Sequence, residues 1–284
     1  MEGLEAAMAK ARAARQDLRA GGTPVVARAA TPAPKPADRP TATGPMGDWS
    51  SLPTIDIPEK LARAKRLTAA VGPEFASYYG ILRARVLRQM KDGGWTRLAL
   101  TSPREKSGKS TISINLALSL ARNDDQRVIL MDFDLRRPSL ADLLAQRNAP
   151  NITGLLRPTA FFKDHAVRYG SNLAICTNRS KVAQSAELLQ GTSIKEALDR
   201  IQAEWQPDIM IFDTPPMQGN DDNMGFFANV DCALIVAAAG HDTLAQIDRC
   251  EQEVAGLTNV LGTVLNKCRY TEADRGAGYD GSYY

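Results

Sequence analysis

The sequence contains few of the residues that cross-link a chain or bind metal ions. It has only four cysteines and two histidines in 284 residues. The cysteines are Cys176, Cys232, Cys250 and Cys268. Because no two of them form a Cys-x-x-Cys pair, they indicate neither a disulfide framework nor a zinc site, and we expect reduced thiols. His165 and His241 have no cysteine or carboxylate at ligand spacing, so we assign both to the surface or the core.

Long apolar runs and a strong net charge are missing as well. The best candidate for a membrane span, residues 233–239, is far shorter than the roughly 20 residues required and is typical of a buried strand. The N-terminus does not show the basic-then-apolar order of a signal peptide. A formal charge of +3 is too small to indicate a nucleic-acid partner. We therefore predict a cytoplasmic protein with no membrane span of its own and no nucleic-acid partner.

Proline is concentrated near the N-terminus. Seven of the 16 prolines lie between Pro24 and Pro53, with alanine and threonine around them. This composition favours an extended, solvated linker. Residues 2–20 are compatible with a short helix, but its alanines leave little apolar area to bury. We predict that residues 1–57 form an N-terminal helix and a Pro/Ala-rich linker, largely disordered.

Residues 107–111 read Ser-Gly-Lys-Ser-Thr and have the pattern of a phosphate-binding loop. An apolar stretch, residues 97–102, precedes them, and a helix-like stretch, residues 112–117, follows. A strand that ends in such a turn and opens a helix holds a polyphosphate, because helix N-terminal amides and the lysine ammonium converge on it. The pattern predicts that the chain binds ATP or GTP. The residues expected to bind it are Gly108, Lys109, Ser110 and Thr111.

This loop has fewer glycines than is usual. The position of its first glycine is occupied by Pro103, and larger residues replace the small ones that normally follow. Glycine is favoured there because backbone amides must approach phosphate closely, often at positive φ. We expect Arg104, Lys106 and Ser107 to lie at the nucleotide, with Lys106 adding positive charge at the expense of backbone strain. Binding would then survive while turnover falls.

Carboxylates follow two further apolar runs. The first run ends in Asp132-Phe133-Asp134, and the second, residues 208–212, ends in Asp213. Carboxylates at the carboxyl ends of adjacent parallel strands point into the crevice where open α/β sheets bind ligands. Beside a phosphate loop, they supply oxygen ligands for Mg²⁺ and a base for a nucleophile.

The order of these motifs resembles the bacterial protein-tyrosine kinases, the BY-kinases of capsule and exopolysaccharide synthesis. It reads Gly-Lys-Ser-Thr, then hydrophobic-Asp-x-Asp-x-Arg, then hydrophobic-Asp-Thr-Pro, and the likeness extends from about residue 74 to residue 266. The resemblance implies an ATP-dependent tyrosine kinase that regulates surface polysaccharide synthesis or export. It also implies a membrane-bound polysaccharide co-polymerase that activates the kinase and recruits it to the inner face of the membrane.

The last six residues contain three tyrosines, Tyr279, Tyr283 and Tyr284, among glycines that keep the segment flexible. BY-kinases carry a similar tail as their autophosphorylation site. The resemblance therefore implies that these tyrosines accept the phosphoryl group and reach the ATP of a neighbouring subunit, which would make the chain a homo-oligomer.

Roles follow for the motif residues by position. Lys109 is expected to bridge the β- and γ-phosphates, while Ser110, Asp134 and Asp213 hold Mg²⁺. Asp132 is expected to accept the phenol proton, because tyrosine is a poor nucleophile until it begins to lose that proton.

Two more residues complete the predicted site. Arg136 is expected to position the aspartates or a phosphate. Asn266 ends the last predicted strand, where related ATPases contact adenine, although such an asparagine also suits a simple strand-ending turn.

Alternating apolar runs predict the fold. We expect an α/β fold with a doubly wound, mostly parallel sheet of the P-loop NTPase type and helices on both faces. The kinase or ATPase domain would comprise residues 58–269 and the flexible tail residues 270–284. Predicted strands lie at 96–101, 127–132, 172–176, 208–213, 231–238 and 259–266. Predicted helices lie at 109–122, 139–146, 191–204, 221–229 and 243–256, with two more between 59 and 92, broken at 71–73.

Two other functions use the same fold and motifs. A Par- or Min-like positioning ATPase has the same magnesium site, but it has a lysine where this loop has Arg104 and lacks a terminal tyrosine cluster. A catalytically weak adaptor would bind ATP only to shape a membrane complex.

Overall fold

The computed structural model describes residues 46–72, 77–148, 150–219 and 221–268. Most of the predicted N-terminal arm and the tail tyrosines Tyr279, Tyr283 and Tyr284 lie outside the described residues. Within these ranges no helix is both long and apolar enough to cross a bilayer.

Seven strands form one sheet in the order β3-β4-β2-β5-β1-β6-β7. All neighbours are parallel except β3 and β4. The phosphate-loop strand β1 therefore lies beside β5, and β5 lies beside β2, so the three strands that carry the predicted site are adjacent. The strands are β1 (Arg97–Thr101), β2 (Val128–Asp132), β3 (Val167–Tyr169), β4 (Leu173–Cys176), β5 (Ile209–Asp213), β6 (Cys232–Ala238) and β7 (Asn259–Asn266).

Helices follow the strands in the alternation that a parallel sheet requires. They are α1 (Glu59–Lys65), α2 (Thr68–Val71), α3 (Ser77–Gly93), α4 (Lys109–Leu120), α5 (Leu140–Leu143), α6 (Ser185–Gln190), α7 (Thr192–Trp205), α8 (Asp222–Phe226) and α9 (Leu244–Ala255). Short 3-10 helices lie at Trp49–Ser51, Ile152–Leu156, Phe162–Asp164 and Phe227–Asn229.

Each face of the sheet packs against its own helices. Ala99 of β1 belongs to an apolar cluster that includes Leu198 of α7, whereas Leu98 belongs to a second cluster with Val86 of α3 and Leu116 of α4. Because both faces are covered, the central strands consist of continuous apolar runs instead of alternating ones. The predicted doubly wound α/β fold of the P-loop NTPase type is confirmed.

The predicted elements differ from the observed ones where the elements are short. Residues 59–92 were expected to hold one break, but the chain also breaks at Arg66, which caps α1 in the left-handed conformation with φ 58°. After this break, the side chain of Asn115 in α4 accepts a hydrogen bond from the Ala69 amide of α2 at 3.0 Å, which links α2 to α4. Strand β3 and helix α6 were not predicted, because three to six residues are too few to show a periodic pattern.

Residues 46–57, at the end of the predicted arm, contact the body of the domain. The Trp49 indole donates to the Trp205 carbonyl at 3.1 Å, and the two rings meet edge to face with centroids 6.0 Å apart. Further along, Thr54 forms a parallel β-bridge with Arg168 of β3. Part of the segment expected to be a linker thus extends the sheet edge and covers the end of α7. The proposed domain boundaries stay predictions.

Trp49→Ala should test whether this segment stabilises the domain. We expect the free energy of unfolding in urea to fall by about 3 kcal/mol, because a buried indole and its hydrogen bond are lost. Trp49→Phe keeps the ring contact and should cost about 1 kcal/mol. Ser50→Ala, at an exposed neighbour, is the control. An unchanged unfolding midpoint for Trp49→Ala would show that the segment contributes nothing to the fold.

Candidate nucleotide site

The predicted phosphate loop lies between β1 and α4, at the carboxyl end of the sheet. Gly108 caps α4 with φ 92°, a left-handed conformation that favours glycine. A Cβ at this position would overlap the Asn266 side-chain amide, so any other residue would have to displace that side chain in addition to adopting an unfavourable backbone. The loop opens onto a cleft of about 590 Å³, a size ordinary for a small-molecule site.

The cleft is lined by the loop, by the first turn of α4 and by segments that follow β2 and β5. Of the described residues, those lining it are Glu105, Lys106, Gly108, Lys109, Ser110, Thr111, Asp134, Arg136, Arg137, Ser139, Leu143, Pro216, Gln218 and Gly219. This combination places helix N-terminal amides and a lysine opposite carboxylates, which suits an anion carrying a divalent cation.

Lys109 lies at the centre of this arrangement. Its side chain is 9% exposed, and its Nζ is 3.1 Å from Asp134 Oδ2. Asp132 and Asp213 are directly opposite each other on β2 and β5, and both are fully buried. The structure therefore brings together the three carboxylates that the sequence placed after two separate runs.

Each of the two fully buried carboxylates uses one oxygen for structure. Asp132 Oδ2 accepts from the amides of Ser139 and Leu140 at 3.1 Å, and Asp213 Oδ1 accepts from the Ser113 hydroxyl at 3.2 Å. The other oxygens, Asp132 Oδ1 and Asp213 Oδ2, are buried without a hydrogen-bond partner. Unpaired buried oxygens are costly, and these two point to a missing proton or cation.

Burial and neighbouring charges shift the pKa values of Asp132, Asp213 and Lys109. Burial, and then the charge of Asp213, raises the pKa of Asp132 well above its usual value. Burial also raises the pKa of Asp213, although the Lys109 charge and the nearby Ser110 hydroxyl oppose the shift. For Lys109, burial by itself would lower the pKa, but the charges of Asp213 and Asp134 outweigh it and raise the pKa. Lys109 therefore stays charged.

Lys106 occupies the strained position of the loop. Its φ is 61°, the left-handed region that a side chain with a Cβ rarely adopts. Its carbonyl accepts from the Lys267 ammonium, and the next carbonyl, of Ser107, accepts from Asn266 Nδ2 at 2.9 Å. Residues at the end of β7 thus hold the strained peptide from outside the cleft.

Matches to known families agree with this geometry. The sequence profile described as "ParA: NUBPL iron-transfer P-loop NTPase" matches residues 96–277, which is more than half of the chain. The chain belongs to the ParA family of P-loop NTPases. The matched region includes the Gly-Lys-Ser-Thr loop between β1 and α4.

Relatives of this P-loop domain carry the names of bacterial tyrosine kinases. Tyrosine-protein kinase YwqD of Bacillus subtilis is 28% identical over 211 residues, 74% of this chain and 82% of YwqD. Putative tyrosine-protein kinase EpsB of Ralstonia nicotianae is 27% identical over 237 residues, 79% of this chain and 30% of EpsB. The chain thus spans less than a third of the length of EpsB.

A solved structure points the same way. The kinase domain of VpsO is 27% identical, with a TM-score of 0.60, and the match covers 68% of this chain and 95% of that domain. The resemblance to the BY-kinases that the motifs predict is confirmed.

Two residues predicted at the nucleotide of the P-loop site, Arg104 and Asn266, have other partners. The Arg104 guanidinium contacts the His241 carbonyl and lies 3.4 Å from Asp242, behind the cleft. Asn266 donates to the loop backbone. The adenine contact expected of it, like the other assigned roles, stays a prediction.

Arg136 lines the cleft, but its guanidinium is held by carboxylates other than those of the site. It pairs with Asp221 and, at 2.8 Å, with Asp222, and its Nε donates to the Ser185 hydroxyl at 3.3 Å. These contacts raise the pKa of Arg136, with the hydrogen bond to Asp222 as the largest cause. Its fixed position makes it a part of the cleft wall between β2 and α8.

Sequence reasoning missed Asp242 altogether. Its side chain is fully buried in the turn between β6 and α9, where it contacts both Arg104 and Ser107. A signal was present, since Asp242 directly precedes Thr243, the capping residue of α9. That signal predicts a helix start and says nothing about a loop 135 residues away.

Lys106→Gly should stabilise the nucleotide-free chain. Glycine removes the strain of the left-handed backbone, which raises the free energy of unfolding, but it also makes the unfolded chain more flexible, which lowers it. The first effect is larger, so we expect a net gain of about 0.5 to 1 kcal/mol. Lys106→Ala retains the Cβ and is the matched control, with no gain expected. Urea unfolding measures both. Equal midpoints for the two variants would contradict the assignment of strain to this residue.

Asp132→Asn should also stabilise the nucleotide-free chain, by about 1 kcal/mol near neutral pH. Because the pKa of Asp132 is higher in the folded than in the unfolded chain, its ionisation opposes folding above the unfolded-state pKa. The gain should therefore vanish near a pH of about 4 and grow as pH rises. Urea unfolding at several pH values tests this, with exposed Asp125→Asn as control. A loss of stability at neutral pH would contradict the account.

Proposed function

We propose that this chain is an ATP-dependent protein-tyrosine autokinase that transfers the γ-phosphoryl group of ATP to Tyr279, Tyr283 and Tyr284. Through this modification it would regulate the synthesis or export of surface polysaccharide. The observation that carries the proposal is the buried Lys109 opposite three carboxylates at two adjacent strand ends. P-loop NTPases catalyse several reactions. We choose phosphoryl transfer to tyrosine because the similar proteins YwqD and EpsB are named as tyrosine kinases.

The residues present fit magnesium and a triphosphate. The unpartnered Oδ2 of Asp213 is a carboxylate oxygen of the kind that Mg²⁺ prefers, and the unpartnered Oδ1 of Asp132 can accept a proton. Among the described residues no cluster of three or more His, Cys, Asp or Glu side chains could hold a metal alone. That suits Mg²⁺, which keeps waters and phosphate oxygens as ligands, and we do not propose iron transfer.

Each residue has a distinct task in this proposal. Ser110, Asp134 and Asp213 would hold Mg²⁺, which would supply positive charge that offsets the charge of the phosphates. Lys109, released from Asp134 when phosphate enters, would contact the β- and γ-phosphates. The amides of Gly108 and Thr111 would hold the remaining oxygens.

Asp132 would act as the base. Its raised pKa brings its proton affinity nearer to that of a phenol, which makes it a better acceptor than an exposed aspartate. As the tyrosine oxygen bonds to the γ-phosphorus, the bond to the leaving ADP oxygen breaks and the phenol proton passes to Asp132. The residue must be ionised beforehand, and the positive charge brought by Mg²⁺ would favour that form.

Partner and location follow from the same resemblance. We propose that a membrane-bound polysaccharide co-polymerase recruits the chain from the cytoplasm to the inner face of the membrane and activates it. Autophosphorylation between neighbouring copies through the tail tyrosines would make the active form a homo-oligomer.

A nucleotide-binding adaptor with weak catalysis is the second candidate, and one observation favours it. The phosphate loop contains a strained Lys106 and turns Arg104 away from the cleft, so binding without rapid turnover is compatible with this geometry. A positioning ATPase has less support, since the relatives YwqD and EpsB are named as tyrosine kinases.

Lys109→Ala tests the kinase proposal. Labelled ATP is added to the full chain, alone and with its membrane activator, and phosphotyrosine is mapped in the tail. We expect tail labelling in the parent chain and a loss of at least about 100-fold in the variant, because a residue that stabilises the transferred charge is removed. Lys195→Ala, an exposed lysine on α7, is the control.

The other outcomes separate the candidates. Hydrolysis of ATP by the parent chain without tail phosphotyrosine would overturn the kinase in favour of the positioning ATPase. Binding of ATP without hydrolysis or labelling, even with the activator, would overturn it in favour of the adaptor.

A further inference from the structure

A carboxylate outside the cleft, that of Asp242, contacts two residues of the phosphate loop. Asp242 follows β6 and its side chain is fully buried. Its Oδ2 accepts from the Ala238 amide at 2.7 Å and from the Ser107 hydroxyl at 2.9 Å. Its Oδ1 lies 3.4 Å from Arg104 Nε and 3.1 Å from His241 Nδ1. Four groups from two segments thus converge on one side chain.

Two of these partners belong to the phosphate loop and enclose its strained residue. Arg104 and Ser107 lie on either side of Lys106, and the Ser107 hydroxyl also contacts the Arg104 carbonyl at 3.0 Å. A strained backbone persists only where its surroundings over-determine it. On one side Lys267 and Asn266 hold the carbonyls of the loop, and on the other Asp242 holds its side chains.

The carboxylate is charged in this setting. Burial by itself would raise the pKa of Asp242, but the hydrogen bonds from Ala238, Ser107, His241 and Arg104 outweigh burial and lower it. A charged, hydrogen-bonded acceptor makes stronger bonds than a neutral one. The anchor is therefore stronger than an amide at the same place would be.

We propose that Asp242 is a positioning residue that holds the phosphate loop in its nucleotide-binding conformation through Ser107 and Arg104. Neither Asp242 nor Ser107 lines the cleft, so the effect on nucleotide is indirect. A loop rich in glycine reaches this conformation without strain, whereas this loop requires an anchor from the β6–α9 turn. This role of Asp242 rests on the proposed nucleotide site, and it explains how the loop of that site keeps its conformation.

Asp242→Asn is the direct test, with Mg-ADP as the titrated ligand and the full chain as the protein. Asparagine keeps the size but replaces one accepting oxygen with an amide that donates. If its oxygen stays with the Ser107 and Ala238 donors, its amide faces the Arg104 guanidinium, and in the reversed orientation the amide faces the Ser107 and Ala238 donors. We expect the dissociation constant for Mg-ADP to rise about tenfold, which corresponds to about 1.4 kcal/mol. Ser107→Ala removes one bond, leaves no unpaired charge and should give a rise of about threefold.

A second readout separates positioning from general destabilisation. Hydrogen exchange of the amides at 105–110 should accelerate in both variants, while exchange in β2 stays as in the parent. At saturating ATP the rate of tail labelling should return to that of the parent, so that KM changes and kcat does not.

Asp231→Asn is the matched control. Asp231 is also a buried aspartate, and it accepts from the amides of Thr96 and Arg97 at 2.8 Å, at the opposite end of β1. This variant should lose stability while its affinity for Mg-ADP and the exchange of the loop amides stay unchanged. An equal loss of affinity in Asp231→Asn would overturn the proposal, because destabilisation alone would then explain the effect.

The failures can be told apart. If the parent chain does not bind Mg-ADP, the proposed nucleotide site fails. If the parent binds and Lys109→Ala does not, while Asp242→Asn and Ser107→Ala bind like the parent, the nucleotide site stands and the positioning role of Asp242 is overturned. Should Asp242→Asn not fold, Ser107→Ala alone decides.

Discussion

The site depends on an excess of buried negative charge around a single buried cation. Lys109 faces Asp132, Asp134 and Asp213, and two of these three carboxylates are completely shielded from water. One ammonium cannot neutralise three carboxylates, and desolvation makes such an imbalance unfavourable for folding. The positive charge of a bound Mg²⁺ beside these carboxylates would offset the excess. The arrangement therefore makes sense as a binding site, and as a purely structural cluster it would destabilise the domain.

Much of the fold and of the candidate site could be predicted from the sequence, because the residues that indicate them lie close together along the chain. A strand, a Gly-Lys-Ser-Thr turn and a helix follow one another within about twenty residues, and each acidic residue directly follows an apolar run. The parallel arrangement then determines that Asp132 and Asp213 meet, since carboxyl ends of parallel strands lie at one edge. The fold, its strand positions and the placement of Lys109 were predictable for these reasons.

The partners of Arg104, Arg136 and Trp49 could not be predicted from the sequence, because they lie in distant segments of the chain. Arg104 was expected at the nucleotide, and Arg136 was expected to position the aspartates or a phosphate. A half-buried guanidinium, however, binds whichever carboxylate the fold brings close. Those carboxylates, Asp242 and Asp222, are 138 and 86 residues away along the chain. The contact of Trp49 with Trp205 is of the same kind, because nothing in a proline-rich segment indicates which residues will pack against α7.

The most direct measurement is a calorimetric titration of the full chain with Mg-ADP at mildly acidic pH, in buffers that differ in ionisation enthalpy. We expect one site per chain, binding that requires Mg²⁺, and release of protons on binding. Protons are released because a cation beside Asp132 and Asp213 lowers pKa values that burial has raised. Absence of binding heat, or binding that is equally tight without Mg²⁺ and releases no protons, would contradict it.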